Sequence, residues 1–231
     1  MKNVLNRIQI IIFVIAYIGV LVLNTTGCSD SEDTKVHNWS ISLESKNHVI
    51  DKRVGNIGFK FCLLNEDSIP SKIFKTDENI YFYLAIKNYS KEEINIDAES
   101  FYKDYFLVYD IEKGTLIGKP YTGMFCYQTL QPHVVSIPGK QTKVFILSWI
   151  MPFELDYSVP FYFNFEYDAP YSFPFCGYQD SLLKEDIYSC RFEMDLHYRV
   201  GGTTRDGYGF LKDGKEKRIS DLFFEINFKV E

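Results

Sequence analysis

The chain has 231 residues, with 25 Lys and Arg against 31 Asp and Glu and a net charge of −6 at pH 7. That balance, with no basic run anywhere, excludes the electrostatic footprint of a nucleic-acid binder. Hydrophobic residues make up 46% of the chain, enough for one good core, and the heavy use of Phe (20) and Tyr (17) favours strands over helices.

At the N-terminus, Lys2 and Arg7 precede an uncharged apolar run, Ile10–Leu23. The run is shorter than the ~20 residues that a spanning helix needs and suits the apolar part of a secretory signal. Thr25, Thr26 and Gly27 follow, then Cys28. This arrangement resembles the lipobox of bacterial lipoproteins, although Thr25 stands where that family prefers Leu. The resemblance implies a cleaved signal peptide over residues 1–27 and a diacylglyceryl group on Cys28. A soluble secreted protein with Cys28 incidental and a retained N-terminal anchor are the alternatives. "SDSEDT", Ser29–Thr34, has nothing to bury and reads as part of an acidic flexible tether over residues 28–38. Acids directly after the cysteine resemble the export signal of Bacteroidota-type surface lipoproteins. That implies a lipid anchor in the outer membrane facing the outside, with a periplasm-facing position as the alternative.

Residues 39–231 read as a single domain. "IGFKFCLL" (Ile57–Leu64) alternates, with Phe59, Phe61 and Leu63 inward. "NIYFYLAIKN" (Asn79–Asn88) puts Ile80, Phe82, Leu84 and Ile86 on one face. "YFLVYD" (Tyr105–Asp110) is a short apolar run. "VVSIPGKQTKVFILSWI" reads as a short strand, a Pro138–Gly139 turn and a longer strand to Ile150. "QDSLLKEDIYS" (Gln179–Ser189) offers at best one or two helical turns. "CRFEMDLHYRV" (Cys190–Val200) and "LFFEINFKV" (Leu222–Val230) alternate again, joined through "VGGTTRDGYG" and "KDGKEKR". Many short alternating strands separated by turns predict an all-β, antiparallel, Ig-like β-sandwich.

From about residue 57 to 151 the order of features, "AIKNYSKEEINI", "FLVYDIEKG", "GMF" and "IPGKQTKVFILSW", resembles the intracellular proteinase inhibitor family of small Ig-like domains. The resemblance implies the fold. No reactive-site motif matches, so no inhibitory residue carries over, and residues 152–231 form an extension outside the pattern.

Cys62, Cys126, Cys176 and Cys190 remain after Cys28. None has metal-ligand spacing. Cys176 and Cys190 would close a loop of about 15 residues, worth about 3 kcal/mol, and are the pair expected to bridge; four free thiols are the alternative.

Searches for a nucleophile elbow, a zinc-protease helix or a phosphate-cradling loop find nothing, and no cofactor is implied. On Cys190–Val200, the side chains of Glu193, Asp195, His197 and Arg199 share one face and could hold a divalent metal. An outer sheet face laced with cross-strand ion pairs is the reading preferred, and no metal site is expected. The carboxylate pairs Glu154/Asp156 and Glu166/Asp168 read as solvated acids. The aromatic, Pro-bounded "PFYFNFEYDAPYSFPFCGY" (Pro160–Tyr178) supplies the candidate ligand residues Tyr171, Phe173, Phe175 and Tyr178. They form either a platform for a sugar or protein partner or a plug at the open end of the sandwich. The function expected is therefore non-catalytic: a lipid-anchored envelope protein binding a protein or glycan. An inhibitor or immunity-type protein acting on an external protease or toxin is the alternative.

Overall fold

Twelve strands and no helix make up the described part of the computed structural model, residues 37–97, 106–120, 134–150, 179–205 and 211–231. In chain order the first six are β1 (His37–Ile41), β2 (Val49–Val54), β3 (Ile57–Leu64), β4 (Ile73–Phe74), β5 (Tyr81–Asn88) and β6 (Ile94–Asp97). The others are β7 (Leu107–Asp110), β8 (Leu116–Gly118), β9 (Val134–Ile137), β10 (Thr142–Ser148), β11 (Asp186–Val200) and β12 (Lys215–Val230).

They form two sheets. The smaller runs β10-β5-β3-β2; the larger runs β1-β12-β11-β6-β9, with β7 added beside β11, β8 beside β7 and β4 beside β12. The expected all-β sandwich is what the strands build. Its sheets are not wholly antiparallel, because β1 and β4 both run parallel to β12. A charged "KEKR" start had concealed half of β12, whose residues Lys215–Ile219 pair with the end of β11. The turns expected in Gln179–Ser189 are irregular chain that enters β11 at Asp186. β1 takes in His37 and Asn38 from the end of the expected tether.

Period-two alternation sorts the core. Ile57, Phe59, Phe61 and Leu63 of β3 and Phe82, Leu84 and Ile86 of β5 are buried from one sheet. Phe192, Leu196, Phe224, Ile226 and Phe228 meet them from the other. Phe61 lies 5.8 Å from Phe224 edge-on and 5.8 Å from Phe106 in a stack, and Phe106 stacks on Phe192 at 5.3 Å. Such pairs add about 0.5–1.5 kcal/mol each beyond their buried area.

The Pro138–Gly139 turn is real but does not make a hairpin: β9 lies in the larger sheet and β10 in the smaller, so the chain crosses between sheets there. It also crosses between β5 and β6, and fully buried Asn88 ties the two crossings together. Its Nδ2 donates to the carbonyls of Glu92 (2.7 Å), Ile137 (3.0 Å) and Pro138 (3.2 Å), while Oδ1 accepts from Ser90 N–H (2.9 Å). Gly139 sits so close that a Cβ there would collide with the Lys91 carbonyl oxygen. Elsewhere, buried Lys72 donates to the carbonyls of Ser42 (3.0 Å), Leu43 (2.9 Å) and Ser45, which gives each of its three N–H groups an acceptor.

Replacing Asn88 with Ala leaves several buried carbonyls without donors, each costing about 1–3 kcal/mol. The expected loss is about 3 kcal/mol in urea unfolding, and a loss within 0.5 kcal/mol of zero would remove Asn88 as the tie between the crossings.

Candidate functional site

The alternation that buries Phe224, Ile226 and Phe228 of β12 turns Glu225, Asn227 and Lys229 to the other face. On β11 it likewise turns out Ser189, Arg191 and Glu193. Register then places Ser189 between Tyr109 of β7 and Asn227 of β12, and Arg191 between Leu107 and Glu225. Ser189 is the small side chain among large ones. The result is a pit of about 170 Å³ in the outer face of the larger sheet, walled on one side by Ile111 and Gly114 of the β7–β8 turn.

The pit is polar and internally organised. Ser189 Oγ and Arg191 Nε both donate to Glu225 Oε1, each at 2.8 Å. The Arg191 guanidinium lies over the Tyr109 ring, 4.7 Å from its centroid. Asn227 Oδ1 is the one buried side-chain polar atom among the described residues with no hydrogen-bond partner. An acceptor buried without a donor costs about 1–3 kcal/mol.

The wall is held by Asp110, whose carboxylate is buried and accepts both the Lys113 N–H (2.9 Å) and the Lys113 ammonium. Lys113 also reaches Asp186 at 3.3 Å. Gly114 takes φ +63 to close the turn. The Lys113 ammonium and the local N–H donors hold the Asp110 carboxyl below its ordinary range, and the same contact holds Lys113 above its own. Beside the pit Ile111 is 41% and Leu116, the register partner of Tyr109, 54% exposed; Ile117 alternates to the other face of β8.

None of these pit residues had been singled out from the sequence. Of those that had, Cys28, Tyr171, Phe173, Phe175, Cys176 and Tyr178 lie outside the described residues, as do the pairs Glu154/Asp156 and Glu166/Asp168. Cys190, the other half of the expected bridge, is a free, wholly buried thiol on the inward face of β11. Asp195 serves the backbone: it accepts the Asp221 N–H at 3.0 Å and Arg218 Nη2 at 2.7 Å, across a register shift between Met194 and Leu196. No group of three or more His, Cys, Asp or Glu suited to a metal occurs among the described residues. In the glycine-rich loop, Asp213 accepts the N–H groups of Thr203 (3.0 Å) and Thr204 (2.9 Å), and Gly202 at φ +101 lies against it; the glycines serve a turn.

Compared with family models and with curated proteins, the chain matches none.

Two outcomes follow from the burial and charge described. Desolvation pushes Cys62 up to about 12 and Cys190 well above its usual range, so neither forms thiolate at neutral pH. Iodoacetamide mapping should find both unmodified in the folded protein and modified after urea; rapid native labelling of Cys190 would contradict its burial. Asp110, with its carboxyl depressed in the folded state, stabilises the β7–β8 turn at neutral pH, and the contribution is lost as pH falls through that lowered value. Acid titration of stability should therefore be shallower in Asp110→Asn than in the wild type; identical curves would show that the pair contributes nothing.

Proposed function

We propose that the protein is a lipid-anchored, non-catalytic binding protein of the cell envelope. Its anchor is diacylated Cys28, it sits in the outer membrane facing outward, and it recognises a protein or glycan through the outer face of the larger sheet. The apolar run ending at Gly27–Cys28 and the acids after it support the anchor and its orientation. The observation that carries the binding reading is the polar pit itself, in which Ser189, Arg191 and Glu225 are held together by hydrogen bonds on adjacent strands.

The chemistry of the pit favours binding over turnover. Ser189 Oγ donates a hydrogen bond to Glu225 Oε1, so its hydroxyl is oriented by a carboxylate and not by an imidazole that could take its proton. The His197 imidazole lies eight residues further along the same strand, about 26 Å away. Arg191 and Glu225 neutralise each other, which suits holding a neutral group.

The inhibitor or immunity-type reading is favoured by one feature, the exposed Ile111 and Leu116 on the β7–β8 hairpin. They give a protein partner apolar surface to cover beside the pit.

Two substitutions test this. Cys28→Ala should abolish labelling by a palmitate analogue and release the protein from the membrane fraction; equal labelling of mutant and wild type would remove the anchor. Arg191→Ala should leave the melting temperature within about 2 °C, because an exposed ion pair is worth about 0–1 kcal/mol, while removing binding on glycan and protein arrays. Array binding undiminished by Arg191→Ala would move the recognition face elsewhere.

A further inference from the structure

We infer that the end of the sandwich built by the β11–β12 hairpin tip and its neighbouring turns is a membrane contact. It rests against the phosphate-bearing, anionic headgroups of the membrane that holds Cys28, and so turns the pit away from that surface. The contact depends on the lipid anchor proposed above and gives the anchored domain an orientation.

Backbone hydrogen bonds gather four segments at this end. Tyr89 N–H donates to the Asn56 carbonyl (2.8 Å), Lys140 N–H to that of Ser90 (3.1 Å) and Gly201 N–H to that of Glu93 (3.1 Å). The β2–β3 turn, the β5–β6 link, the β9–β10 turn and the hairpin tip are therefore neighbours. Residues 53–58, 87–93, 138–140 and 199–218 together carry ten Lys and Arg against five Asp and Glu, in a chain of net charge −6. The opposite end is gathered in the same way. There Thr76 N–H donates to the Glu231 carbonyl (3.2 Å), Lys229 N–H to that of Lys72 (2.8 Å) and Ile111 N–H to that of Ile187 (3.1 Å). Residues 65–78, 110–113, 184–187 and 229–231 carry nine acids against five lysines. Charge is thus polarised along the strands, and an anionic surface attracts one end and repels the other.

Acids at the basic end are occupied within the fold. Glu93 accepts from Arg205 Nη2 (2.5 Å) and Asn95 Nδ2 (2.7 Å), and Asp213 accepts the N–H groups of Thr203 (3.0 Å) and Thr204 (2.9 Å). Lys91, Lys140, Lys212 and Lys215 stand exposed around them. Lysines within a screening length of headgroup phosphates, about 8 Å, are drawn to them.

The course of β1 selects the same end. β1 runs parallel to β12 with His37 beside Leu222, so its first residue lies toward the hairpin tip and its last away from it. Leu222 is seven residues from Lys215, about 23 Å along the strand. Nine residues separate Cys28 from His37, a reach of at most about 30 Å. A lipid on Cys28 can therefore hold the hairpin tip at headgroup level without stretching the tether fully. Ser189 and Asn227 of the pit lie near the acidic end of the same two strands, on the side away from the membrane.

The test uses the full lipidated chain on vesicles of phosphatidylcholine, either alone or with about 30 mol% phosphatidylglycerol as the anionic lipid. Lysines are acetylated with a water-soluble reagent and located by mass spectrometry. On the anionic vesicles Lys91, Lys140, Lys212 and Lys215 should react at least about threefold more slowly than on phosphatidylcholine. Lys75 and Lys184, at the other end, should keep their rates. Salt at about 1 M, which shortens the screening length to about 3 Å, should remove the difference. So should the double variant Lys212→Glu with Lys215→Glu, read at Lys91 and Lys140; both substitutions are exposed and leave the core untouched. Phosphatidylcholine has no net charge, so flotation with it reports the anchor alone. A wild type that floats without lysine protection overturns the contact and leaves the anchor standing. A wild type that does not float removes the anchor, and the contact falls with it. Protection by soluble polyphosphate, with none on anionic vesicles, would give the surface to a soluble polyanion and overturn the contact as well.

Discussion

The pairing of β11 with β12 is the constraint on which everything else rests. These two strands hold each other over nearly their whole lengths, and their alternation sends Phe192, Phe224 and Phe228 into the core and Ser189, Arg191, Glu225 and Asn227 outward. Core and pit are therefore two sides of one register. A slip of a single residue would expose the phenylalanines and bury the charges, so the aromatic packing that stabilises the sandwich also fixes the positions of the pit's polar atoms. Recognition groups mounted on central strands keep their geometry better than groups on loops.

One interruption makes that register work. Between Met194/Leu222 and Leu196/Ile219 the β12 strand carries an extra residue, and Asp221 adopts φ 55 to absorb it. Asp195 pins the bulge through the Asp221 N–H and Arg218. The bulge shifts the phase of β12, so that Ile219 and Leu222 both face inward, three residues apart. The far half of the hairpin then pairs with β6, and the near half with β7, whose turn walls the pit.

This bulge also explains what could be read from the sequence and what could not. β3 and β5 were legible because Phe59, Phe61 and Leu63, and Ile80, Phe82, Leu84 and Ile86, alternate without a break. β12 was legible only after the bulge: from Lys215 to Ser220 its phase is opposite and its residues are charged, so it looked like a loop. β1, β2, β4, β6 and β8 are short or polar and take their strand character from neighbours supplied by distant parts of the chain. The Pro138–Gly139 turn was visible, but its crossing between sheets depends on Asn88, fifty residues earlier. The pit was missed because three strands build it. Its signal in the sequence is slight: polar residues at alternate positions within the apolar runs "YSCRF" and "FEINF". Starting the first of those strands at Cys190 left Ser189 out of it.

In the proposed function, Cys28 and the acids behind it would hold the sandwich near a membrane. The larger sheet presents an ordered, charge-balanced pit beside exposed apolar residues of the β7–β8 hairpin. The claim at the centre is that partners meet this face. Amide chemical-shift mapping during titration with a partner found on the arrays tests it most directly. The account predicts shifts grouped at Tyr109–Gly114, Ser189–Arg191 and Glu225–Asn227, on the outer face of the larger sheet. Shifts confined to the far end of the hairpin, at Gly201–Thr204 and Lys212–Gly214, with the pit unchanged, would contradict it.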